Sequence, residues 1–153
     1  MSKAVRALFV SAAAFSAIAF ANAPAPKPTA ELKLASTTAK KNSEIKGTVT
    51  VTIPSGYHCY QNPPTKDYMI PLKITATDKK TTLKTVSYPK GKVDEVAGEK
   101  AAVYSGKVTI PVVFKVGKAG KASLSVKVDY QMCDDSSCQP PSSLTAKADV
   151  TVK

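Results

Sequence analysis

The sequence predicts an all-β fold, an antiparallel two-sheet sandwich, and three observations carry this prediction. Apolar and polar residues alternate with a period of two in run after run, as they do in half-buried strands. Val and Thr, which favour strands, are frequent, and turn residues separate the runs. No window of the sequence has a convincing helical period. We therefore expect a single β-domain without internal repeats.

The apolar stripe of each run defines the predicted strands. Leu32 and Leu34 open the series, and a short strand covers Leu72, Ile74 and Ala76. Four longer runs each keep one face apolar: Ile45, Val49, Val51 and Ile53; Val108, Ile110, Val112, Phe114 and Val116; Leu124, Val126, Val128 and Tyr130; Leu144, Ala146, Ala148, Val150 and Val152. One apolar and one polar face is the usual pattern of strands in antiparallel sheets.

The N-terminal segment 1–21 has the composition of a secretory signal peptide. Lys3 and Arg6 precede an apolar run that extends to Ala21 and ends in small residues. The run is about 15 residues long, whereas a membrane-spanning helix needs about 20. We expect cleavage after Ala21, a periplasmic or secreted protein, and no stable membrane insertion. Because no cysteine follows this site, we expect no lipid anchor.

Removing these 21 of the 153 residues leaves 132, enough for one domain with one core. Residues 22–30 are predicted to be a proline-rich lead-in, and 31–153 the domain. The formal net charge falls from +11 to +9 because Lys3 and Arg6 are lost. So basic a chain could bind nucleic acid. Its lysines are scattered singly along the strand patterns, however, so we expect a solvated surface and no nucleic-acid partner.

Two of the three cysteines, Cys133 and Cys138, lie between a strand-like run and the pair Pro140-Pro141, the layout of a hairpin. A tight turn brings such residues to about the Cα separation of a disulfide, roughly 4.4–6.8 Å. Because the entropy of loop closure grows only with the logarithm of loop length, this bridge would stabilise the fold weakly. A disulfide in an exposed loop is a candidate for thiol exchange. The alternative is that this disulfide only stabilises the hairpin. We predict this disulfide, with Cys59 left free.

Several blocks of the sequence resemble, in order and spacing, the N-terminal domain of the bacterial thiol:disulfide interchange protein DsbD: Gly56 to Tyr60, Tyr88 to Lys92, Val103 to Gly106, and Tyr130 to Pro141. The resemblance implies an immunoglobulin-like sandwich in the periplasm, with no cofactor. It also implies that Cys133 and Cys138 are a redox pair that passes electrons to oxidised thioredoxin-like partners. In the family, the cysteine at the Cys138 position forms the mixed disulfides.

The charge pattern favours the same cysteine as the nucleophile. Asp134 and Asp135 directly follow Cys133, and nearby negative charge disfavours a thiolate. Cys138 lies farther along the loop from both carboxyl groups. Since the attacking species in exchange is an accessible thiolate, Cys138 is predicted to be the better nucleophile.

The segment before the third predicted strand supplies further candidate residues. If it is extended, His58 and Tyr60 point one way and Tyr57 and Cys59 the other. The resemblance places His58 and Tyr60 beside the cysteine pair, at positions that are usually aromatic. His58 could hydrogen-bond a sulfur or carry a proton, or simply fill a polar niche. Cys59 is expected to be a small buried hydrophobe, with a third redox thiol or a metal ligand as alternatives.

The segment 91–99 is charged and has the composition of a flexible loop. The resemblance implies a cap over the disulfide, with acidic residues and an aromatic tip. Asp94 and Glu95 match the acidic part, but Val96 or Ala97 stands where the aromatic residue is expected. We therefore expect weaker shielding of the sulfurs, and an ordinary solvated loop is the alternative.

Two other functions remain open at this point. Cys133, Cys138, Cys59 and His58 could together bind copper or zinc, but only with reduced sulfurs in an oxidising compartment. The chain could also be an accessory domain with an inert disulfide. In the exchange function, electrons must come from a separate donor, such as a membrane protein, because this chain has neither a membrane conduit nor a thioredoxin-like Cys-x-x-Cys pair. The direction of electron flow, and whether the module acts as an enzyme, stay open.

Overall fold

The computed structural model describes residues 26–77, 82–96 and 98–153. The predicted signal peptide and the first part of the lead-in lie outside these ranges. The described residues contain no helix that could cross a membrane. They form eleven strands: β1 (Thr29–Leu34), β2 (Thr38–Ala39), β3 (Glu44–Thr52), β4 (Cys59–Tyr60), β5 (Lys73–Ala76), β6 (Thr82–Val86), β7 (Lys92–Val96), β8 (Glu99–Tyr104), β9 (Lys107–Lys115), β10 (Gly120–Tyr130) and β11 (Ser142–Val152).

The first sheet has the strand order β1-β3-β9-β6, with antiparallel neighbours throughout. In its centre, Val49 of β3 lies opposite Ile110 of β9, and Val51 opposite Val108. Because directly opposite side chains point to the same face, the apolar residues of both strands form one surface. β1 begins at Thr29, so the last two residues of the predicted lead-in already belong to a strand.

The second sheet has the order β2-β11-β10-β5. β10 and β11 pair over their whole length, from Gly120 opposite Val152 to Tyr130 opposite Ser142. β2 adds a two-residue parallel contact at the edge of β11. Because β10 and β11 pair in this register, the connection 131–141 leaves and re-enters the sheet at the same end. This connection contains both Cys133 and Cys138.

The core lies between these two sheets. Both contribute side chains to one buried apolar cluster, and its largest fully buried members include Phe114, Leu72, Ile110, Val49, Val51, Val112, Val126 and Val128. These are the predicted apolar stripes, so the prediction of an all-β, immunoglobulin-like two-sheet sandwich is confirmed.

A third, small sheet with the order β4-β8-β7 was not predicted. The segment 91–99, expected to be a loop, is mostly strand, since β7 pairs with β8 from Lys92 opposite Val103 to Val96 opposite Glu99. The prediction of a loop was wrong because β7 is rich in charge and exposed along most of its length. Its pairing depends on β8, where Ala101 and Val103 supply the apolar residues.

Replacing Phe114 by Ala tests the position of the core. The ring is fully buried, and removing a buried Phe side chain costs about 3–5 kcal/mol. We expect a loss of that size in the free energy of unfolding measured with urea. The exposed neighbour Lys115, replaced by Ala, is the matched control, and a change of about 0.5 kcal/mol or less is expected there. Similar small losses for both variants would contradict this core.

Candidate functional site

Three backbone segments run side by side at the candidate site and carry His58, Cys133 and Cys138. The amide of His58 donates to the carbonyl oxygen of Cys133 at 2.9 Å, and the amide of Cys133 donates back to His58 at 2.9 Å. Cys133 in turn lies opposite Cys138 in an antiparallel bridge. Because directly opposite residues point to the same face, these three side chains form one row with Cys133 in the middle.

The predicted disulfide between Cys133 and Cys138 is present, and Cys59 is free. The hydrogen bonds beside the pair run from the amide of Gln139 to Met132 at 2.8 Å and from that of Asp134 to Ser137 at 2.9 Å. Cys133 and Cys138 are therefore a non-hydrogen-bonded antiparallel pair, the kind in which side chains lie closest. Their Cα atoms are 3.9 Å apart, so a two-stranded hairpin alone brings the sulfurs together.

The turn of this hairpin is built by the Asp134 side chain. One carboxylate oxygen accepts hydrogen bonds from the Ser136 amide at 2.9 Å, the Ser136 hydroxyl at 2.8 Å and the Ser137 amide at 2.8 Å. The bonds from Ser136, and then those from Ser137, lower the pKa of Asp134. Asp134 is thus held as a carboxylate in the turn next to Cys133. The Asp-x-Ser-Ser pattern carries this turn signal, which the sequence analysis did not use.

The two sulfur-bearing residues differ in burial. Cys133 is 0% exposed, whereas Cys138 is exposed. The expectation that the whole pair lies in an exposed loop is therefore wrong for Cys133. This residue belongs to a second apolar cluster, separate from the main core, with Tyr60, Met69, Val96, Ala101 and Val103.

The β7–β8 hairpin supplies the cover over Cys133. Val96 is 5% exposed and packs in the cluster of Cys133, so a valine takes the place expected for an aromatic residue. Asp94 lies two residues earlier on the same face of β7 but is exposed, and Val93 and Glu95 point the other way and are exposed as well. Ala97 lies outside the described residues. Cys133 is thus covered, whereas Cys138 is exposed.

Close backbone packing holds this hairpin in place. A Cβ atom on Gly91 would lie 2.8 Å from the carbonyl oxygen of Val103, so β7 can approach β8 this closely only with glycine there. The Gly91 amide donates to the side chain of Gln61 at 2.9 Å, and the Ala102 amide donates to the Thr65 hydroxyl at 2.9 Å. The cover is thus tied to the segment that follows β4.

His58 is buried on the same face as the disulfide. Its side chain is 8% exposed, and its Nε2 atom is sealed from solvent without a hydrogen-bond partner in the described part of the chain. Burial lowers the pKa of His58, and the negative charges of Asp135, Asp94 and Asp134 oppose this shift without reversing it. The Tyr60 ring, 6.1 Å away between centroids, meets the imidazole edge-on. His58 and Tyr60 thus lie on the side of Cys133, while Tyr57 and Cys59 pack with the main core.

Cys59 faces the opposite way, into the main core. It is 0% exposed, and burial raises the pKa of its thiol to about 12. Cys59 therefore acts as a small buried hydrophobe, as predicted. The proposed copper or zinc set is not assembled, because Cys59 packs in a different cluster from Cys133. Across the described ranges, no group of three or more His, Cys, Asp or Glu side chains could hold a metal ion.

Sequence reasoning missed Met69, Ala101 and Val103, which pack with Cys133. Ala101 and Val103 belong to a continuous buried apolar run, Ala101 to Tyr104, in which no alternation marks the residues that pack against Cys133. Met69 lies in an irregular segment between the exposed residues Tyr68 and Ile70, and no local pattern distinguishes it.

We expect Cys59 to resist alkylation in the folded protein. Its thiol is fully buried and its pKa is about 12, so the reactive thiolate is scarce near neutral pH. Iodoacetamide treatment of the oxidised protein at pH 8, followed by mass spectrometry, should show no adduct, and one adduct should form after denaturation in urea. Rapid labelling of the native protein would show that Cys59 is accessible and would refute its burial in the main core.

The disulfide is expected to contribute little to stability. A closed loop of about six residues contributes on the order of 2 kcal/mol by chain entropy, and the main core does not include the pair. A Cys133→Ala, Cys138→Ala double variant should fold, with its free energy of unfolding lowered by about that amount. Circular dichroism and urea titration against the oxidised parent measure this. Failure of the double variant to fold would make the bridge structural.

Comparison with known proteins agrees with this geometry. The family model described as "Thiol:disulfide interchange protein DsbD, N-terminal" matches residues 24–149. No curated protein sequence matches the chain. Among solved structures, the N-terminal periplasmic domain of ScsB from Proteus mirabilis is similar, with a TM-score of 0.61 and 15% identity. The match covers 78% of this chain and 45% of that one, so this chain spans less than half of the ScsB structure.

The reduced N-terminal domain of DsbD from Neisseria meningitidis is also among the similar structures, with a TM-score of 0.46 and 20% identity, over 72% of this chain and 80% of that one. The ScsB likeness supports the fold, and the family match, which covers most of the sequence, supports the family. The chain therefore belongs to the family of N-terminal domains of the thiol:disulfide interchange protein DsbD.

Proposed function

We propose that this protein is a periplasmic thiol-disulfide exchange module that passes electrons to oxidised thioredoxin-like proteins through Cys133 and Cys138. The observation that carries the proposal is the unequal burial of the pair, since Cys138 is exposed and Cys133 is 0% exposed. Exchange needs one sulfur that a partner can reach and a second that closes the bridge afterwards. A disulfide whose only role was to stabilise the fold would not need one exposed and one buried cysteine.

Cys138 is the sulfur that forms the mixed disulfide. It is accessible, and it lies across the turn from Cys133, whose immediate neighbour Asp134 is held as a carboxylate. A thiolate at Cys133 would be buried in an apolar cluster and would directly precede this negatively charged residue, and both effects disfavour it. Cys133 is thus the resolving cysteine, which attacks Cys138 only after a partner has been bound.

The residues around the pair have separate roles in this proposal. Val96 and Tyr60 exclude water from Cys133. Asp94 and Glu95 lie at the exposed edge of the β7–β8 hairpin, where they present negative charge to an approaching partner. His58 lines the row beside Cys133.

The exchange domain needs an electron donor at one end of the transfer and an oxidised acceptor protein at the other. A donor must reduce the pair after each cycle, and a separate membrane protein could do so. In this proposal segment 1–21 directs the chain to the periplasm, and 31–153 forms the exchange domain. The module then acts as the acceptor-facing component of a protein-disulfide reductase system.

Trapping experiments test the roles of the two cysteines. Cys133→Ala leaves the exposed Cys138 without its resolving partner, so it should accumulate a mixed disulfide with an oxidised thioredoxin-like periplasmic protein. Cys138→Ala leaves only the buried Cys133 and should trap little. Non-reducing gels of equal amounts of each variant measure the difference, which we expect to be at least about tenfold because burial limits access.

The Cys59→Ala variant serves as the matched control, since its cysteine pair is intact and it should release the partner without trapping. Equal trapping by the first two variants, or preferential trapping through Cys133, would overturn the assignment. A wild-type pair that withstands millimolar dithiothreitol in the folded protein would instead identify an inert bridge.

A further inference from the structure

We propose that His58 accepts the proton of Cys133 when Cys133 attacks the mixed disulfide, and so serves as the base of the resolving step. The inference rests on the proposed exchange function and adds a residue to it. It follows from the row formed by His58, Cys133 and Cys138, and from the burial and missing hydrogen bond of the imidazole Nε2 atom.

The backbone places His58 next to Cys133. The two residues exchange both amide hydrogen bonds at 2.9 Å, so their side chains leave the same face of the ladder as direct cross-strand neighbours. Cys138 flanks Cys133 on the other side. Cys133 therefore has the imidazole on one side and the sulfur that it must attack on the other.

The unpartnered Nε2 atom has a simple explanation in the redox state of the structure. A buried polar atom without a hydrogen bond is costly and needs a reason. In the disulfide form, Cys133 has no proton to donate. After reduction, the thiol of Cys133, the direct cross-strand neighbour of His58, becomes a hydrogen-bond donor, and we assign it as the partner of Nε2 in the reduced state.

Burial also creates the need for a base. Cys133 is fully buried among apolar side chains and lies next to the Asp134 carboxylate, so a free thiolate there is disfavoured. Transfer of its proton to His58 produces a thiolate beside an imidazolium, and opposite charges stabilise each other most where water is excluded. The acidic groups that act on His58 from the surrounding elements are Asp94 of β7 and Asp134 and Asp135 of the turn.

Glutathione disulfide can serve as the oxidised substrate for the reduced cysteine pair. The Cys138 thiolate attacks one glutathione sulfur, a Cys138–glutathione bond forms, and the first glutathione thiolate leaves. The Cys133 thiol then gives its proton to Nε2 of His58, and its thiolate attacks the Cys138 sulfur. The Cys138–glutathione bond breaks, and the second glutathione thiolate leaves and takes the proton. The cysteine pair loses two electrons and glutathione disulfide gains them.

The two chemical steps can be timed separately. The reduced protein is mixed with glutathione disulfide, quenched in acid at set times, and the Cys138–glutathione adduct and the final disulfide are quantified by mass spectrometry. His58→Phe keeps an aromatic ring but accepts no proton, and His58→Gln keeps hydrogen bonding but does not titrate. Tyr57→Phe is the matched control, since Tyr57 is the adjacent residue and packs against the main core.

In both His58 variants we expect adduct formation at the wild-type rate, while resolution at pH 7 slows by about 100-fold, the usual contribution of a positioned base. Tyr57→Phe should match the wild type in both steps. Circular dichroism shows whether each variant is folded, and if His58→Phe is not, the His58→Gln result decides.

The pH dependence gives a readout that a merely structural role for His58 would not change. Since burial lowers the pKa of His58, the imidazole is neutral at pH 7 and can accept a proton. The wild-type rate of resolution should be nearly constant around pH 7–8 and fall in acid as His58 becomes protonated. In His58→Phe the rate should rise about tenfold per pH unit across this range, because it then follows the thiolate fraction of Cys133 alone. Asp135→Asn, which removes the largest opposing charge, should move the acid limb to lower pH.

The outcomes separate this inference from the proposed function. If the wild type resolves rapidly and both His58 variants do so with the same rate and pH profile, the role of His58 is wrong and exchange stands. If the wild type neither forms the adduct nor closes the bridge, the exchange function itself fails. An unchanged acid limb in Asp135→Asn would also contradict His58 as the titrating group.

Discussion

The pair of amide hydrogen bonds between His58 and Cys133 fixes which side chain of the segment around β4 lies beside Cys133. Side chains alternate along a strand, so a slip of one residue would exchange the two faces. Cys59, and not His58, would then stand beside Cys133, and three thiols would share one site. The observed register keeps the third thiol in the main core and leaves the disulfide with an imidazole neighbour. The backbone pairing therefore determines which side chains can take part in the chemistry of the site.

Two small structures then make the cysteines unequal. The turn closed by Asp134 carries Cys138 to the surface, and the β7–β8 hairpin places Val96 against Cys133. Neither structure belongs to the two large sheets, which supply the rigid end from which the connection 131–141 extends. The main core can thus stabilise the domain while the hairpin and the turn remain specialised for access to the sulfurs.

Local sequence was enough to predict the sandwich and the cysteine pair, because both depend on short-range patterns. The period of two in β3, β9, β10 and β11 gives the buried faces directly, and the spacing of Cys133 and Cys138 suits a hairpin. β7 could not be predicted in this way, since four of its five residues are exposed and it pairs only because β8 lies beside it. The burial of Cys133 had no local signal either, as it depends on Met69 and Val96, which are distant in sequence.

The position of Cys59 also bears on how the chain matures. Three thiols in an unfolded chain can form three different disulfides, and two of these involve Cys59. Once β4 has paired with β8, Cys59 is enclosed in the core and only the hairpin pair can still react. If the chain is oxidised before β4 pairs with β8, the bridge that forms depends on the relative rates of strand pairing and of disulfide formation. The short sequence separation of Cys133 and Cys138 favours the correct bridge under these conditions, since residues that are close in sequence meet more often than distant ones.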